Sequence, residues 1–538
     1  MPTLIIHNAR IYTQTASQKW NAQPWAQAIA FRDGRVLAVG KNPEICALAQ
    51  PHTELLDAHG RLVLPGLTDS HLHLHHLSQK LQTLNVELPT LSAILQAVAD
   101  RAQQIPPGSW ILGQGFHTDV TGIAPLASWL DAVAPYHPVY LLSKSVHSGW
   151  ANSLALQQAH ITAATPDPAS GQIVRSPDGS PSGALLEMAM ELLTQAIPRP
   201  TASEWESAFL HCQQTLWQLG LTGVHCFDGR DSFYTLQSLH QQGKLGLRVL
   251  KQLRAKYLPA ALSFGVQSGL GDDWLRLGQV KVFADGALGP RTAAMLTPYA
   301  GEPDNLGMVV TDKEELTDIA CRATQMGWAM TVHAIGDRAN HDVLDALQTA
   351  RTLEAQLGIA PTARRHRIEH VQILHPSDVP RLAHLQVIAS MQPLHATSDY
   401  AMADRYWGDR SRYAYALASQ LQAGAVLALG SDAPVESPNP WLGIHAAVTR
   451  TRTDGTPHAD GWYPAERLSV AQAVQGYTVG AAYAAGMENR LGRLDPGFLG
   501  DCVLIDRDIF TCHPQQIWQT QVLATITGGQ VRWRADSL

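Results

Sequence analysis

The stretch "LTDSHLHLHH" occupies residues 67–76 and places its histidines directly after a short run of apolar and small residues. Side chains at positions i and i+2 leave an extended strand on the same face, so we expect His71 and His73 to point together. His75 would be a third member of that face, and His76 would point the other way. The pair fits a solvated surface tract, two hydrogen-bonded core histidines, or half of a metal site, because neutral imidazole is the commonest metal ligand.

This stretch belongs to the first of eight short β-rich runs, each followed by an amphipathic helical segment. Such alternation is typical of parallel β/α units, and eight units specify an α/β protein with a (β/α)8 TIM barrel. The first run covers residues 66–73. The others are residues 221–227, 247–253, 279–286, 329–337, 366–372, 385–393 and 425–434.

Both ends of the chain have a different sequence pattern, one that is typical of β-strands without intervening helices. It is clear in "TLIIHNARIYT" (3–13), in "AIAFRDGRVLAVG" (28–40) and, near the other end, in "VLATITGGQVRWRA" (522–535). The dipeptide Asp33-Gly34 is one that tight hairpin turns favour. We therefore predict that residues 1–62 and 485–538 together form one small β-sandwich domain, with the barrel as residues 63–484.

The segment between the first two barrel strands is longer than one helical return requires, so we predict an insertion at about residues 79–200. It has a helical pattern over 91–105, a strand over 137–144 and a hairpin over 171–187. An insertion after strand 1 leaves the barrel at the C-terminal face, where active sites of this fold lie. We expect it to cover the site.

Residue types that bind metals recur at the C-terminal ends of the predicted strands. They are His71 and His73 on strand 1, Lys281 on strand 4, His333 on strand 5, His370 on strand 6 and Asp432 on strand 8. A carboxylate next to a buried strand needs a strong partner, because unpaired buried charge is rarely tolerated. The alternatives are core histidines with satisfied hydrogen bonds and, for Lys281, a salt bridge to Asp285 or Glu187.

Composition and charge exclude several classes of protein. The 538 residues carry a formal net charge of -7 without a dense Lys/Arg block, so no nucleic-acid surface or membrane patch is predicted. We find no apolar stretch near the length that spans a bilayer. The six cysteines have no C-x-x-C pair, so we expect neither a disulfide framework nor a thiolate zinc site, and a cytoplasmic location. A homodimer is compatible with the sequence, which does not fix the oligomeric state.

Six motifs then occur in a defined order. They are "PGLTDSHLHL" (65–74), "VKVFADGALGPRTA" (280–293), "HAIGDRA" (333–339), "HRIEH" (366–370), "MQPLHA" (391–396) and "GSDAPVE" (430–436). With them the chain resembles the metal-dependent amidohydrolase superfamily, specifically its amidohydrolase-3 branch of YtcJ-like and N-substituted formamide deformylase-like proteins. The resemblance covers nearly the whole chain, including the split β-sandwich.

The resemblance implies that the six strand-end residues hold one or two divalent ions, usually zinc, with Asp432 as the catalytic acid and base. It also implies that Lys281 is carboxylated. Burial and positive neighbours lower the pKa of a lysine, and the neutral amine can take up carbon dioxide as a carbamate. Near-site groups for the substrate are implied as well: Asp285, Arg291, His147, Trp150, Asn152, Glu187 and His395.

The function that follows is hydrolysis of a non-peptide carbon–nitrogen bond, amide or formamide-like, in a small molecule by a metal-activated water. One alternative is deamination within the same superfamily, which needs a proton-shuttling glutamate soon after the strand-5 histidine. Gly336 and Asp337 stand there instead. The other alternative is a catalytically retired binding or signalling protein, because fold alone does not fix function.

Overall fold

The computed structural model describes residues 1–14, 25–117, 125–143 and 147–538. The chain forms two compact units, of which the first comprises residues 1–77 and 209–538 and the second residues 78–208. Among the helices of the described residues, none combines the length and the apolar character that a membrane crossing requires.

The first unit contains the predicted TIM barrel, a sheet of eight parallel strands that pair in chain order. The strands are β1 (Leu67–Leu72), β2 (Leu221–Cys226), β3 (Arg248–Arg254), β4 (Leu275–Phe283), β5 (Met330–Ala334), β6 (Arg367–His370), β7 (Ile388–Met391) and β8 (Leu427–Leu429). A parallel bridge between Leu72 and Ala433 joins the first strand to the segment after the last, so the C-terminal end of the barrel closes. Each predicted run overlaps one of these strands, although β3 ends one residue after the predicted Leu253 and β4 begins four residues before the predicted Gln279.

Helices follow the barrel strands, as the sequence pattern predicts. Their bounds are Arg230–Gln241, Leu258–Ser263, Lys313–Gln325, Asp337–Gln356, Arg381–His384, Pro393–Trp407, Leu417–Gln422, Pro440–Thr449, Val470–Tyr477 and Val479–Ala484. Helix Ala202–Gln218 leads into β2. β1, β2, β6, β7 and β8 are buried along their whole length, which is expected of a parallel sheet covered by helices.

Two further sheets of the first unit form a β domain from both ends of the chain. One has the order Arg35–Gly40, Ala28–Arg32, Leu4–His7, Glu54–Asp57. The other has the order Gln530–Arg534, Val522–Thr527, Cys502–Ile505, Leu62–Pro65, Arg10–Tyr12, Trp25–Ala26. Side chains of both sheets, among them Phe31 and Leu504, share one core. Asp33 and Gly34 both have positive φ (51° and 76°), as the tight turn requires.

The second unit is built on a six-stranded sheet. Its order is Gly171–Arg175, Pro181–Glu187, Ser148–Ala151, Val139–Ser143, Ile111–Phe116, Leu84–Asn85. The helices are Leu91–Gln104, Ala127–Val133, Ser153–Gln158 and Ala189–Thr194. The predicted helix, strand and hairpin of this segment are present, apart from Lys144, which lies outside the described residues.

One local prediction is wrong. β1 ends at Leu72, and a helix begins at Leu74 and continues to Gln82. His75 and His76 therefore do not continue the alternation of an extended strand. Residues three apart lie side by side once a chain turns into helix, and His76 accordingly lies next to His73, with ring centroids 5.5 Å apart.

Candidate metal centre

The segment after β8 carries Asp432 to the end of β1. The Asp432 amide donates to the carbonyl of His71 (2.7 Å), and the His73 amide donates to Ala433 (2.7 Å). Gly430 allows this approach, because a Cβ there would lie 2.5 Å from the His71 nitrogen. Asp432 itself has a φ of 59°, a left-handed conformation that residues other than glycine adopt mainly under structural constraint.

Asp69 also stabilises the contact between β1 and the segment that carries Asp432. One of its carboxylate oxygens accepts the amides of both His71 and Ser431 at 3.0 Å, and the other accepts the Ser431 hydroxyl at 2.5 Å. These bonds join β1 to the "GSD" segment without using the ring of His71. Asp69 is thus part of the frame that positions Asp432.

The rings of His71 and His73 converge on one carboxylate oxygen. Their Nε2 atoms lie 3.4 Å and 3.3 Å from Oδ1 of Asp432. These distances exceed the usual 2.9–3.0 Å of an N–H···O hydrogen bond. Two ligands that each lie ~2.1 Å from one tetrahedral ion are separated by roughly 3.4 Å, so the spacing fits a shared cation.

The other nitrogen of each of these two rings faces a buried carboxylate. Nδ1 of His71 lies 2.6 Å from Glu369, and Nδ1 of His73 lies 3.4 Å from Asp228. A carboxylate behind a histidine holds the ring in place and makes its free nitrogen a stronger metal ligand. Phe227 stacks on His71 with ring centroids 3.8 Å apart and restricts the ring further.

The histidines of β5 and β6 are held by neutral acceptors. His333 Nε2 lies 2.9 Å from the carbonyl of Gly286, and His370 Nδ1 lies 3.0 Å from the amide oxygen of Gln392. The two rings contact each other edge to face, with centroids 4.6 Å apart. His333 Nδ1 and His370 Nε2 remain available as ligands.

Burial keeps three of the four proposed histidine ligands neutral; it would also lower the pKa of His73, but Asp228 and Asp432 raise that pKa to about 9. Burial lowers the pKa of His71 to about 4 and that of His333 to about 3, and it lowers the pKa of His370 well below its ordinary value. A metal binds only the unprotonated nitrogen of an imidazole. Burial would raise the pKa of Asp432, but His71, His395 and His73 outweigh it and hold that pKa well below its ordinary value. Asp432 is therefore ionised.

Lys281 is buried at the end of β4, between two aromatic rings. Its ammonium nitrogen lies 4.9 Å from the centroid of Phe227 and 4.7 Å from that of Phe283. Burial lowers its pKa to about 8. Within the described part of the chain, no carboxylate lies within ion-pair distance of Lys281, so the alternative salt bridge to Asp285 is not formed.

Two of the residues predicted for substrate binding lie against these ligands. His395, on helix Pro393–Trp407, has Nε2 3.5 Å from the second oxygen of Asp432. Burial would lower its pKa, but Asp432 and Glu436 raise it to about 10. Asp285 lies 3.5 Å from His333 Nε2, and its carboxylate accepts three backbone amides at 2.8–3.0 Å.

The other predicted substrate residues make contacts within their own units. Arg291 forms a partly exposed ion pair with Glu302 at 3.1 Å. Within the second unit, His147 Nδ1 lies 3.1 Å from the Glu187 carboxylate. Trp150 is fully buried and donates its indole N–H to the carbonyl of Leu126. Asn152 caps helix Ser153–Gln158, and both ends of its amide bond to backbone.

Several residues that shape the site were not predicted from the sequence: Asp69, Asp228, Glu369 and Gln392. Three of them stand inside the motifs: Asp69 in "PGLTDSHLHL", Glu369 in "HRIEH" and Gln392 in "MQPLHA". Glu369 lies two residues after Arg367 and Gln392 two after Ser390, and this spacing was the available indication that both face the barrel interior. Asp228 follows β2 as "CFDG", a strand-end carboxylate that strand counting could have identified.

The model of the amidohydrolase family matches residues 54–532, so the chain belongs to this family. "Protein LONG AFTER FAR-RED 3" of Arabidopsis thaliana is 34% identical over 546 residues, 98% of this chain and 91% of that protein. N-substituted formamide deformylase of Arthrobacter pascens is 29% identical, covering 99% of this chain and 98% of that protein.

A crystal structure of an uncharacterized metal-dependent hydrolase from Pyrococcus furiosus is similar over 94% of this chain and 100% of that one. The TM-score is 0.76 and the identity 26%. The predicted membership of the amidohydrolase superfamily is thereby confirmed, and so is the TIM barrel with a β domain. The protein is a metal-dependent hydrolase of the amidohydrolase family.

Proposed function

We propose that this hydrolase cleaves a non-peptide carbon–nitrogen bond, amide or formamide-like, in a small molecule. The observation that carries the proposal is the arrangement of two imidazole nitrogens around one ionised, buried carboxylate oxygen. Nitrogen and oxygen donors at that spacing suit a divalent ion. The similarity to N-substituted formamide deformylase supports the class of bond.

The proposed ligands are His71, His73, Lys281, His333, His370 and Asp432, and the proposed ion is zinc, one or two per chain. Their fit to such an ion is supported by the neutral state of His71, His333 and His370, by an acceptor or carboxylate behind each ring, and by the ionised state of Asp432. A bound ion would polarise the substrate carbonyl and lower the pKa of a coordinated water.

Asp432 is the proposed general base and acid. Oδ1 faces the nitrogens of His71 and His73, whereas Oδ2 faces His395 at 3.5 Å. One carboxylate oxygen can therefore ligate the cation while the other accepts and donates a proton. Asp432 takes a proton from the attacking water as the water oxygen bonds to the carbonyl carbon, and it gives that proton to the amine nitrogen as the carbon–nitrogen bond breaks.

Lys281 is the proposed carboxylated lysine. As an ammonium it would add positive charge next to neutral histidines in a site that binds a cation, and no described carboxylate pairs with it. Reaction of the neutral amine with carbon dioxide forms an N–C bond, releases a proton and replaces the cation by an anion that can ligate metal. A pKa of about 8 leaves part of the population neutral at physiological pH.

The substrate pocket is proposed to include His395 and Asp285, which contact ligand residues, and Arg291. His147, Trp150, Asn152 and Glu187 stay proposed substrate residues on the strength of the sequence motifs alone. We also propose a reducing cytoplasmic environment, consistent with six cysteines that are all free. The homodimer stays a prediction, which sedimentation velocity would test.

The test combines metal analysis with a substrate panel. Elemental analysis of purified protein is expected to find one or two equivalents of a divalent ion, predominantly zinc. An N-substituted formamide, a simple amide and a cyclic imide are then offered, and release of amine is measured. Turnover of an ester with none of the nitrogen substrates would contradict the proposed bond class, and metal-free protein with full activity would contradict the metal centre.

A further inference from the structure

His76, which the strand pattern did not explain, lies beside His73 on the solvent-exposed side of the proposed metal centre. Nδ1 of His73 and Nδ1 of His76 lie 3.4 Å and 3.6 Å from the same oxygen of Asp228. The three ligand atoms all lie within 4.8 Å of one another. These separations again match ligands that share an ion, about 3.4 Å for a tetrahedral site.

Two of these atoms are buried without a hydrogen-bond partner. Within the described residues, neither Oδ1 of Asp228 nor Nδ1 of His73 makes a hydrogen bond. The buried Lys251 donates to the backbone carbonyl of Asp228, and its ammonium forms no ion pair with the Asp228 carboxylate in the part of the chain that the structure describes. The other carboxylate oxygen accepts the amide of His75 at 2.7 Å. A buried carboxylate oxygen without a partner is costly, and a cation would satisfy it.

We propose that His73 Nδ1, His76 Nδ1 and Asp228 Oδ1 form an outer divalent-cation site, through which the inner metal centre is loaded. This inference rests on the proposed inner centre. His71 is 1% exposed, whereas the side chain of His76 is 54% exposed. A cation arriving from solvent therefore meets His76 before it meets the inner ligands.

His73 connects the two sites, because its Nδ1 faces Asp228 and its Nε2 faces Asp432. A neutral imidazole has one unprotonated nitrogen, so His73 serves one ion at a time. While His73 binds the outer ion through Nδ1, its ring proton is on Nε2. Transfer of the ion inward requires that Nε2 lose this proton and that Nδ1 gain one, so the number of protons on the ring does not change. In the loaded protein, Nδ1–H then faces the Asp228 carboxylate, and the outer site is left with two weak ligands.

The rate of metal uptake tests this proposal. Chelator-treated protein is mixed with Co²⁺, uptake is followed by visible absorption, and final content is measured by elemental analysis after desalting. We expect His76→Ala to slow uptake by about tenfold, the low end of what locally concentrated ligands and charge supply to association rates. Its final content should equal that of the wild type, because no inner ligand is changed.

Asp228→Asn is the second variant, and it keeps an oxygen to accept the His75 amide. His52→Ala is the matched control, because it also removes one exposed histidine but leaves the cluster intact. Uptake by His76→Ala at the wild-type rate would overturn the outer site and leave Asp228 as a group that only orients His73. Wild-type protein that retains no Co²⁺ after desalting would instead overturn the inner centre, and the loading role with it.

Discussion

Replacement of Asp432 by Asn separates metal binding from proton transfer. The two carboxylate oxygens face different partners: Oδ1 lies 3.4 Å and 3.3 Å from the nitrogens of His71 and His73, and Oδ2 lies 3.5 Å from His395. An asparagine has the same size and keeps one oxygen that can take the place of Oδ1. It has no second oxygen and no charge, so it can ligate a cation but cannot accept a proton.

The size of the effect follows from these two roles. Metal affinity is shared among six proposed ligands, and asparagine keeps one oxygen, so we expect most of the metal to remain. General acid–base catalysis contributes about 10²–10⁴-fold, so we expect kcat to fall by ~10² or more, which corresponds to about 2.7 kcal/mol of transition-state stabilisation. KM should change less, because substrate binding does not require the proton transfer.

The assay is metal content by elemental analysis together with steady-state kinetics on whichever amide or formamide the panel identifies. Glu436→Gln is the matched control, because it removes a carboxylate charge on the far side of His395, 3.9 Å from Nδ1. This control should keep most of its kcat. An Asp432→Asn enzyme that keeps its metal and more than about a third of its wild-type kcat would show that the base lies elsewhere.

Three further predictions concern the ligands and the frame. Alanine in place of a histidine ligand should remove metal and activity together, and wild-type metal content in every such variant would refute the assignment. The variants are His71→Ala, His333→Ala and His370→Ala. Lys281→Ala should lose one of two ions, and a short carboxylic acid at high concentration should restore part of that metal content. In metal-loaded crystals of the wild type, electron density that ends at an ordinary Lys281 ammonium would refute the carbamate. Arg248→Met should lower stability by about 3–5 kcal/mol in urea unfolding, because Asp501 loses its buried partner, whereas Arg35→Met at an exposed pair should change little.

The barrel could be predicted because its determinants are local. Each of the eight β-rich runs is short, apolar and followed by a helical pattern, and each overlaps a strand of the structure. The first and last residues of the strands were less predictable, because tertiary contacts decide them. β4 begins at Leu275 because Val249 and Leu250 of β3 pair with Leu275 and Arg276, a register that no local pattern reveals.

The proposed metal ligands could be identified for the same reason, since the barrel brings the ends of its strands to one face whatever the details. The groups behind these ligands were not predicted, because the partners that they connect are set by tertiary contacts. Asp69 connects His71 to Ser431, which lies 362 positions from Asp69 in the sequence, and Asp228 reaches His73 from another strand. The change from strand to helix at His73 was not predicted either, because alternating histidines are as compatible with a strand that continues past His73 as with a helix that begins there.

Glu369 shows why the metal centre and the barrel interior cannot be treated separately. It is fully buried and pairs with Arg367, whose guanidinium also donates to His225 at 2.8 Å. Burial would raise the pKa of Glu369, but Arg367 and His71 hold it well below its ordinary value, so the carboxylate is charged. One ionised group therefore neutralises a buried arginine and accepts the N–H of a proposed metal ligand, at 2.6 Å. Loss of that charge would leave Arg367 unpaired and His71 a weaker ligand at once, so selection on either property constrains the other.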